Sequence, residues 1–244
     1  MKPRKRHTQQ KLKFKTWGGQ RDGAGRPPKG PRSSERHKKR ASFKSSEPLH
    51  IVARVEPGVG RLRKRHMYKA IRWATFCASK LEDFRIIHLS IQHNHLHLII
   101  EAENKCALSR GMQSFQISAA KQINWAISKR QTTPRRGRVF TDRYHARILK
   151  SPMLVRRALA YVLNNWRRHG EDRAPFADTW KLDPFSTALF FNGWKEREDR
   201  PFWALPPPGY ESLFAWFPRT WLLKEGWRRH GTISLYETPG PLSK

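Results

Sequence analysis

Acidic residues are scarce in this chain: 19 Asp and Glu stand against 50 Lys and Arg over 244 residues, leaving a formal charge of +31. Pairing among its own side chains cannot neutralise that excess, so the composition points to a polyanionic partner, and polyphosphate backbones fit best. Cysteine is nearly missing. Cys77 and Cys106 are too few for a disulfide framework, which excludes a small disulfide-stapled secreted fold. Long apolar runs are missing too, since none approaches the roughly 18–20 residues of a spanning helix. The first residues also lack the short apolar core of a secretory signal. From these absences we expect a cytoplasmic, nucleic-acid-binding protein with reduced thiols.

The chain changes character near Leu49. Residues 1–47 form a basic tail, with Lys2-Pro3-Arg4-Lys5-Arg6 and Arg36-His37-Lys38-Lys39-Arg40 flanking a Gly/Pro-rich centre from Gly23 to Pro31. Such a segment has too little apolar surface to offset its ordering entropy, and disorder until binding is expected. Residues 48–170 carry the periodic patterns of a folded unit. Leu49–Val55 reads as a strand, and Arg61–Leu81 as a helix with Met67, Ala70, Ile71, Ala74, Ala78 and Leu81 at helical spacing. Strands follow at Arg85–Ile91 and His95–Glu101. Leu108–Ile127 is a second helix, and Val139–Leu149 one long strand. Ser151-Pro152 then opens a helix, with Ser as cap and Pro at its first position, and Gly170 ends it. The order β-α-β-β-α-β plus a helix predicts an α+β fold, a ferredoxin-like split βαβ antiparallel sheet with an added C-terminal helix. Residues 171–244 form a Trp- and Pro-rich extension, expected to make short helices and loops.

The densest chemical signal is His95-Leu96-His97-Leu98. On a strand, residues two apart share a face, so His95 and His97 present two imidazoles side by side while Leu96, Leu98 and Ile100 face the core. Paired imidazoles suit a divalent ion, and they equally make an ordinary surface pair. On the last helix Tyr161 and Asn165 stand four residues apart, beside the apolar stripe Val155, Leu159, Val162 and Trp166. A core phenol with a capping amide would look the same.

Together these runs resemble a known family. His93-Asn94-His95-Leu96-His97-Leu98-Ile99-Ile100-Glu101 resembles the HUH signature of single-tyrosine transposases, in which U is a bulky apolar residue. Val139 to His145 and Ala160 to Asn165 look like the next strand and the tyrosine helix. The match spans about residues 48–170 and is similar, more narrowly, to the REP-associated tyrosine transposases. The resemblance implies His95, His97 and Asn165 as metal ligands, Mg²⁺ or Mn²⁺ as the ion, and Tyr161 as the nucleophile. It implies metal-dependent cleavage and rejoining of single-stranded or stem-loop DNA through a covalent 5′-phosphotyrosine, by a monomer or homodimer. An amide in the ligand set suits zinc poorly. Tyr144, on a strand with no ligand-like residue four positions on, is expected to be structural. His88 and His93 are expected to be exposed or phosphate-facing. The rival reading is a non-catalytic basic DNA-binding protein derived from such an enzyme.

Outside the motifs, Arg143, Arg167 and Arg168 are candidate DNA contacts. Arg26, Lys29 and Arg32 lie in a Gly-Arg-Pro segment resembling an AT-hook, which would read an A·T-rich minor groove. The aromatic extension, with Trp180, Trp194, Trp203, Trp216, Trp221 and Trp227, suits either base stacking or packing on the catalytic unit, and packing is the reading preferred.

Overall fold

A computed structural model describes residues 41–173, 181–199 and 210–240. Residues 1–40 of the basic tail, with Arg26, Lys29 and Arg32, lie outside the described residues, as do Trp180 and Trp203. Four strands, β1 (Leu49–Arg54), β2 (Phe84–Ile91), β3 (His95–Ala102) and β4 (His145–Ile148), form one sheet in the order β2-β3-β1-β4, every pair antiparallel. Helices α1 (Arg65–Ala78) and α2 (Lys105–Ser128) connect them by crossovers. This is the ferredoxin-like α+β arrangement expected from the element order.

Alternation along the strands sorts side chains between two cores. Leu49, Ile51 and Ala53 of β1 and Leu96, Leu98 and Ile100 of β3 meet Met67, Ile71 and Ala74 of α1 and Met112, Phe115 and Ile123 of α2. At Gly111 the backbone of α2 lies directly against Phe84, where an added Cβ would sit 2.0 Å from the ring. The opposite face carries a second core. There α3 (Pro152–Leu163) lays Val155, Ala158, Leu159 and Val162 over Ile87, Ile99 and Leu149. A bulge in β2, where the register steps between Ile86 and His88, sends Ile86 to the first core and Ile87 to the second.

Three expectations need correction. The strand foreseen over Val139–Leu149 is only His145–Ile148. Asp142 takes the Arg143 N–H at 2.8 Å and turns the chain, leaving one isolated bridge between Phe140 and Val55. The α1 helix begins at Arg65 rather than Arg61, because Arg63 is drawn away to a buried carboxylate described below. The tyrosine helix is broken. It ends at Leu163, Asn164 adopts φ −103° and donates its side-chain N–H to Ser234 O at 2.9 Å, and one turn, α4 (Asn165–Arg168), follows. The Ser151 cap and Pro152 start are as expected, and Gly170, at φ +67°, ends the segment.

The extension beyond residue 170 folds onto this unit as single helical turns, α5 (Glu196–Asp199) and α6 (Trp221–Lys224), with loops between them. Trp194 and Trp227 are buried with Leu223, Ile233 and Leu235 against α3, whereas Trp216 and Trp221 stay partly exposed. Phe185 and Thr187 hydrogen-bond to Ile91 and Leu89, so the extension covers the free edge of β2. Glu101, fully buried on β3, accepts from Arg85 and from the backbone N–H groups of Arg219 and Thr220. No helix among the described residues is long and apolar enough to cross a membrane.

One ion pair ties the extension to the sheet. Asp183 accepts two hydrogen bonds from Arg63, at 3.0 and 2.9 Å, and Arg63 also donates to Ile91 O at 3.0 Å and lies over the Phe185 ring. Both side chains are essentially out of solvent. Asp183→Ala removes both close hydrogen bonds and leaves the buried guanidinium only the Glu171 carboxylate 3.6 Å from its Nε, and we expect a loss of about 3–5 kcal/mol in urea unfolding. A loss under about 1 kcal/mol would show that the extension is not anchored here.

Candidate active site

The polar part of the site belongs to the sheet face that α3 covers. His95 and His97 share that face, as alternation requires, and their Nε2 atoms converge to 2.9 Å. Behind His97 stands His50 of β1, on the same face. It lies diagonal to His97 in the β1–β3 ladder, with His50 Nε2 and His97 Nδ1 3.1 Å apart and the rings stacked at 5.2 Å. His95 Nδ1 donates to Asn94 Oδ1 at 2.8 Å. The chain of hydrogen bonds therefore runs Asn94, His95, His97, His50.

Tyr161 presents its ring edge-on to His97 at 5.1 Å and to His50 at 6.0 Å, and stays partly accessible. Eight residues on, His169 faces His95 at 6.0 Å. Asn165 lies between the two in the chain, across the helix break. It is fully buried, and neither its Oδ1 nor its Nδ2 has a hydrogen-bond partner. Such an amide costs about 1–3 kcal/mol per unsatisfied group unless something polar is meant to meet it.

Burial dominates the protonation of these rings. It pushes His50 down to about 3 and His95 down to about 4, helped by neighbouring cationic side chains and imidazoles, and lowers His97 well below the ordinary histidine range. All three are neutral at pH 7, the form that offers a lone pair. With Nδ1 of His95 committed as donor to Asn94, its Nε2 presents a lone pair toward His97. If the His97 proton moves to Nδ1, accepted by His50, two lone pairs face one point. Two imidazole nitrogens bound side by side at about 2.1 Å on an octahedral ion sit about 3 Å apart, which is close to the separation found. Among the described residues no three His, Cys, Asp or Glu side chains are grouped to hold a metal ion. A third protein ligand here would have to be of another type, and the partnerless Asn165 amide is of the right chemistry. The residues present therefore fit a hard divalent ion.

The remaining sites sort as follows. Arg168 is exposed, with its guanidinium 5.6 Å from the Tyr161 ring. Arg167, expected on phosphate, is turned inward: it donates to Asp172 at 3.1 Å and lies against Trp166 and Tyr236. Arg143 is exposed on the turn before β4. Tyr144 is buried in the first core, on the far side of the sheet, as expected of a structural phenol. His93 is exposed, but His88 is not. Its Nδ1 lies 3.1 Å from Thr187 Oγ1 and its ring packs on Phe191, because the extension covers that stretch of β2. Reading the sequence missed His50 and His169, and also Arg54 and Arg147, which stand opposite His95 and His50 in the ladders. The period-two pattern of β1, with His50 alternating against Leu49 and Ile51, was a usable signal for the first of these.

Over residues 44–165, half of the chain, the sequence matches the model of IS200-like transposases. The chain belongs to that transposase family. Solved structures similar to it include a REP-associated tyrosine transposase bound to a REP hairpin, at 16% identity and a TM-score of 0.48, covering 76% of this chain and 93% of that one. Another is a candidate transposase from Deinococcus radiodurans R1, at 9% identity and a TM-score of 0.35, covering 59% and 97%. No curated protein matches the sequence significantly.

The state of Asn165 makes a prediction of unusual sign. Asn165→Leu keeps the shape but removes two unsatisfied polar atoms, so the metal-free protein should gain about 1 kcal/mol of stability in urea with EDTA. A clear destabilisation would mean that the amide already has a partner.

Proposed function

We propose that this transposase cleaves and rejoins single-stranded or hairpin DNA through a covalent link between Tyr161 and a 5′-phosphate. The observation that carries the reading is the position of the Tyr161 ring, edge-on to His97, whose Nε2 converges with that of His95. The buried, partnerless Asn165 amide supports the same centre. A non-catalytic DNA-binding descendant would have no use for a converging pair of neutral imidazoles with a partly accessible phenol packed edge-on against one of them.

His95, His97 and Asn165 would hold Mg²⁺ or Mn²⁺, which supplies positive charge to a phosphodiester oxygen and eases the build-up of negative charge on phosphorus. The chain's own residues do the rest. His50 Nε2, 3.1 Å from His97 Nδ1, can accept a hydrogen bond from that nitrogen and so hold the tautomer in which His97 Nε2 is free to be a ligand. Arg168 lies beside the phenol and counters charge that develops on its oxygen. Arg54 and Arg147, on the same face, suit the flanking phosphates. The Tyr161 oxygen forms a bond to phosphorus as the bond to the 3′-oxygen breaks. The phenol proton leaves, the 3′-oxygen gains one, and the products are a 3′-hydroxyl and a 5′-phosphotyrosine. Attack by another 3′-hydroxyl reverses the step and joins strands without ATP. The +31 charge suits DNA as the partner, and hairpin DNA, the ligand of the REP-associated relative, is the probe of choice.

Two tests follow. With labelled stem-loop DNA and Mn²⁺, Tyr161→Phe should bind but form no covalent adduct, while Tyr144→Phe should form it at near the unsubstituted rate. An adduct mapped by mass spectrometry to Tyr144, or retained in Tyr161→Phe, overturns the assignment. His50→Ala should weaken Mn²⁺ binding about 10–100-fold in calorimetric titration. Unchanged affinity would show that His97 needs no partner at Nδ1.

A further inference from the structure

The catalytic face does not account for the most exposed aromatic surface of the helices. On the other side of the sheet, the outer seam of α1 and α2 opens into a groove of about 440 Å³. His66, Lys69 and Trp73 line it from α1, and Trp125, Lys129 and Arg130 from α2 and its end. Trp73 is 49% exposed and Trp125 57%, although the Ala70 and Ala126 beside them are buried. Lys129 holds its ammonium 4.1 Å from the Trp125 ring. No acidic side chain lines the groove. Burial first lowers the protonation of His66, and the positive charges of Arg130 and Lys64 lower it further.

About half of each indole stays exposed on the α1–α2 pair, although Trp73 also packs against Phe76. Both helices already bury a full apolar stripe against the sheet. An apolar protein partner would not need the ring of cations, and a basic peptide would be repelled by them. Rings that offer flat faces, cations at phosphate reach and a concave floor together suit unpaired nucleotides, whose bases stack and whose backbone pairs with Lys and Arg. The sheet separates this groove from His95 and His97, so it cannot hold the scissile phosphate. We propose that the α1–α2 groove binds single-stranded DNA flanking the segment that is cleaved, with bases stacked on Trp73 and Trp125. This deepens the DNA-processing reading above and rests on it.

The test uses the full chain and a hairpin carrying a single-stranded flank, compared with the same hairpin without it. Anisotropy titrations should show that Trp73→Ala and Trp125→Ala each weaken binding of the flanked hairpin by at least about fivefold, with little change for the blunt hairpin. Circular dichroism checks that these surface variants fold. Iodouridine placed in the flank should photo-crosslink to Trp73 or Trp125 when mapped by mass spectrometry. Equal affinities for both hairpins in all variants, or crosslinks confined to other residues, overturn the groove assignment while Tyr161 adduct formation still stands. Tighter binding of a matching single-stranded RNA through the same two residues would overturn DNA as the occupant. Loss of the Tyr161 adduct alone would strike the catalytic reading and leave the groove's binding measurable.

Discussion

Strand β3 is hydrogen-bonded on both edges and covered on both faces, and the site can exist only because of that enclosure. Leu96, Leu98 and Ile100 must face α1 and α2, so alternation puts His95, His97, Ile99 and Glu101 on the other side. That side then needs a cover that is apolar at one end and polar at the other. Helix α3 supplies both, with Val155, Leu159 and Val162 toward Ile99 and Tyr161 toward His97. A one-residue slip of β3 would turn the imidazoles and Glu101 into the first core and take Leu96, Leu98 and Ile100 out of it. Register is thus fixed by the hydrophobic pattern, and the chemistry inherits it.

Enclosure also sets the electrical state of the site. Water-poor surroundings hold His50, His95 and His97 neutral despite a chain carrying +31, and the excess cations lie around the pocket rather than in it. The same enclosure makes the unsatisfied Asn165 amide expensive. Neutral imidazole nitrogens with cationic side chains around them are what the proposed metal centre and a polyanionic substrate would need. Had the imidazoles been exposed, some would carry protons at mildly acidic pH and repel an ion.

Much of this was legible in the sequence, for local reasons. The His-x-His pair, its leucine-rich opposite face, the Ser151-Pro152 start and the element order depend on residues close together in the chain, and the structure has each where expected. What was not legible depends on partners far away. His50 joins His97 only through the pairing of β1 with β3, and His88 is buried only because Thr187, 99 residues later, packs over it. The tyrosine helix breaks because Asn164 answers to Ser234, 70 residues on. Arg167 looked like a phosphate contact although Asp172 stands only five residues on, and Tyr236, against which it also lies, is far along the chain. Hydrophobic periodicity reports on burial, and it cannot report which distant loop does the burying.

The extension beyond residue 170 is the largest of these long-range effects, and it bears on the candidate site as well as on stability. It covers α3 from behind with Trp194, Trp227, Ile233 and Leu235, and it clamps Arg156 of α3 through Glu237 and Thr232. It also holds the break at Asn164, which sets the direction of the turn bearing Asn165. Tyr161 and Asn165, the proposed nucleophile and ligand, stand on either side of that break. Without external support, a 12-residue helix followed by a single turn would sample many relative orientations. The aromatic extension removes that freedom. Its burial energy is therefore spent on the geometry of Tyr161 and Asn165 relative to the strand that carries the two imidazoles.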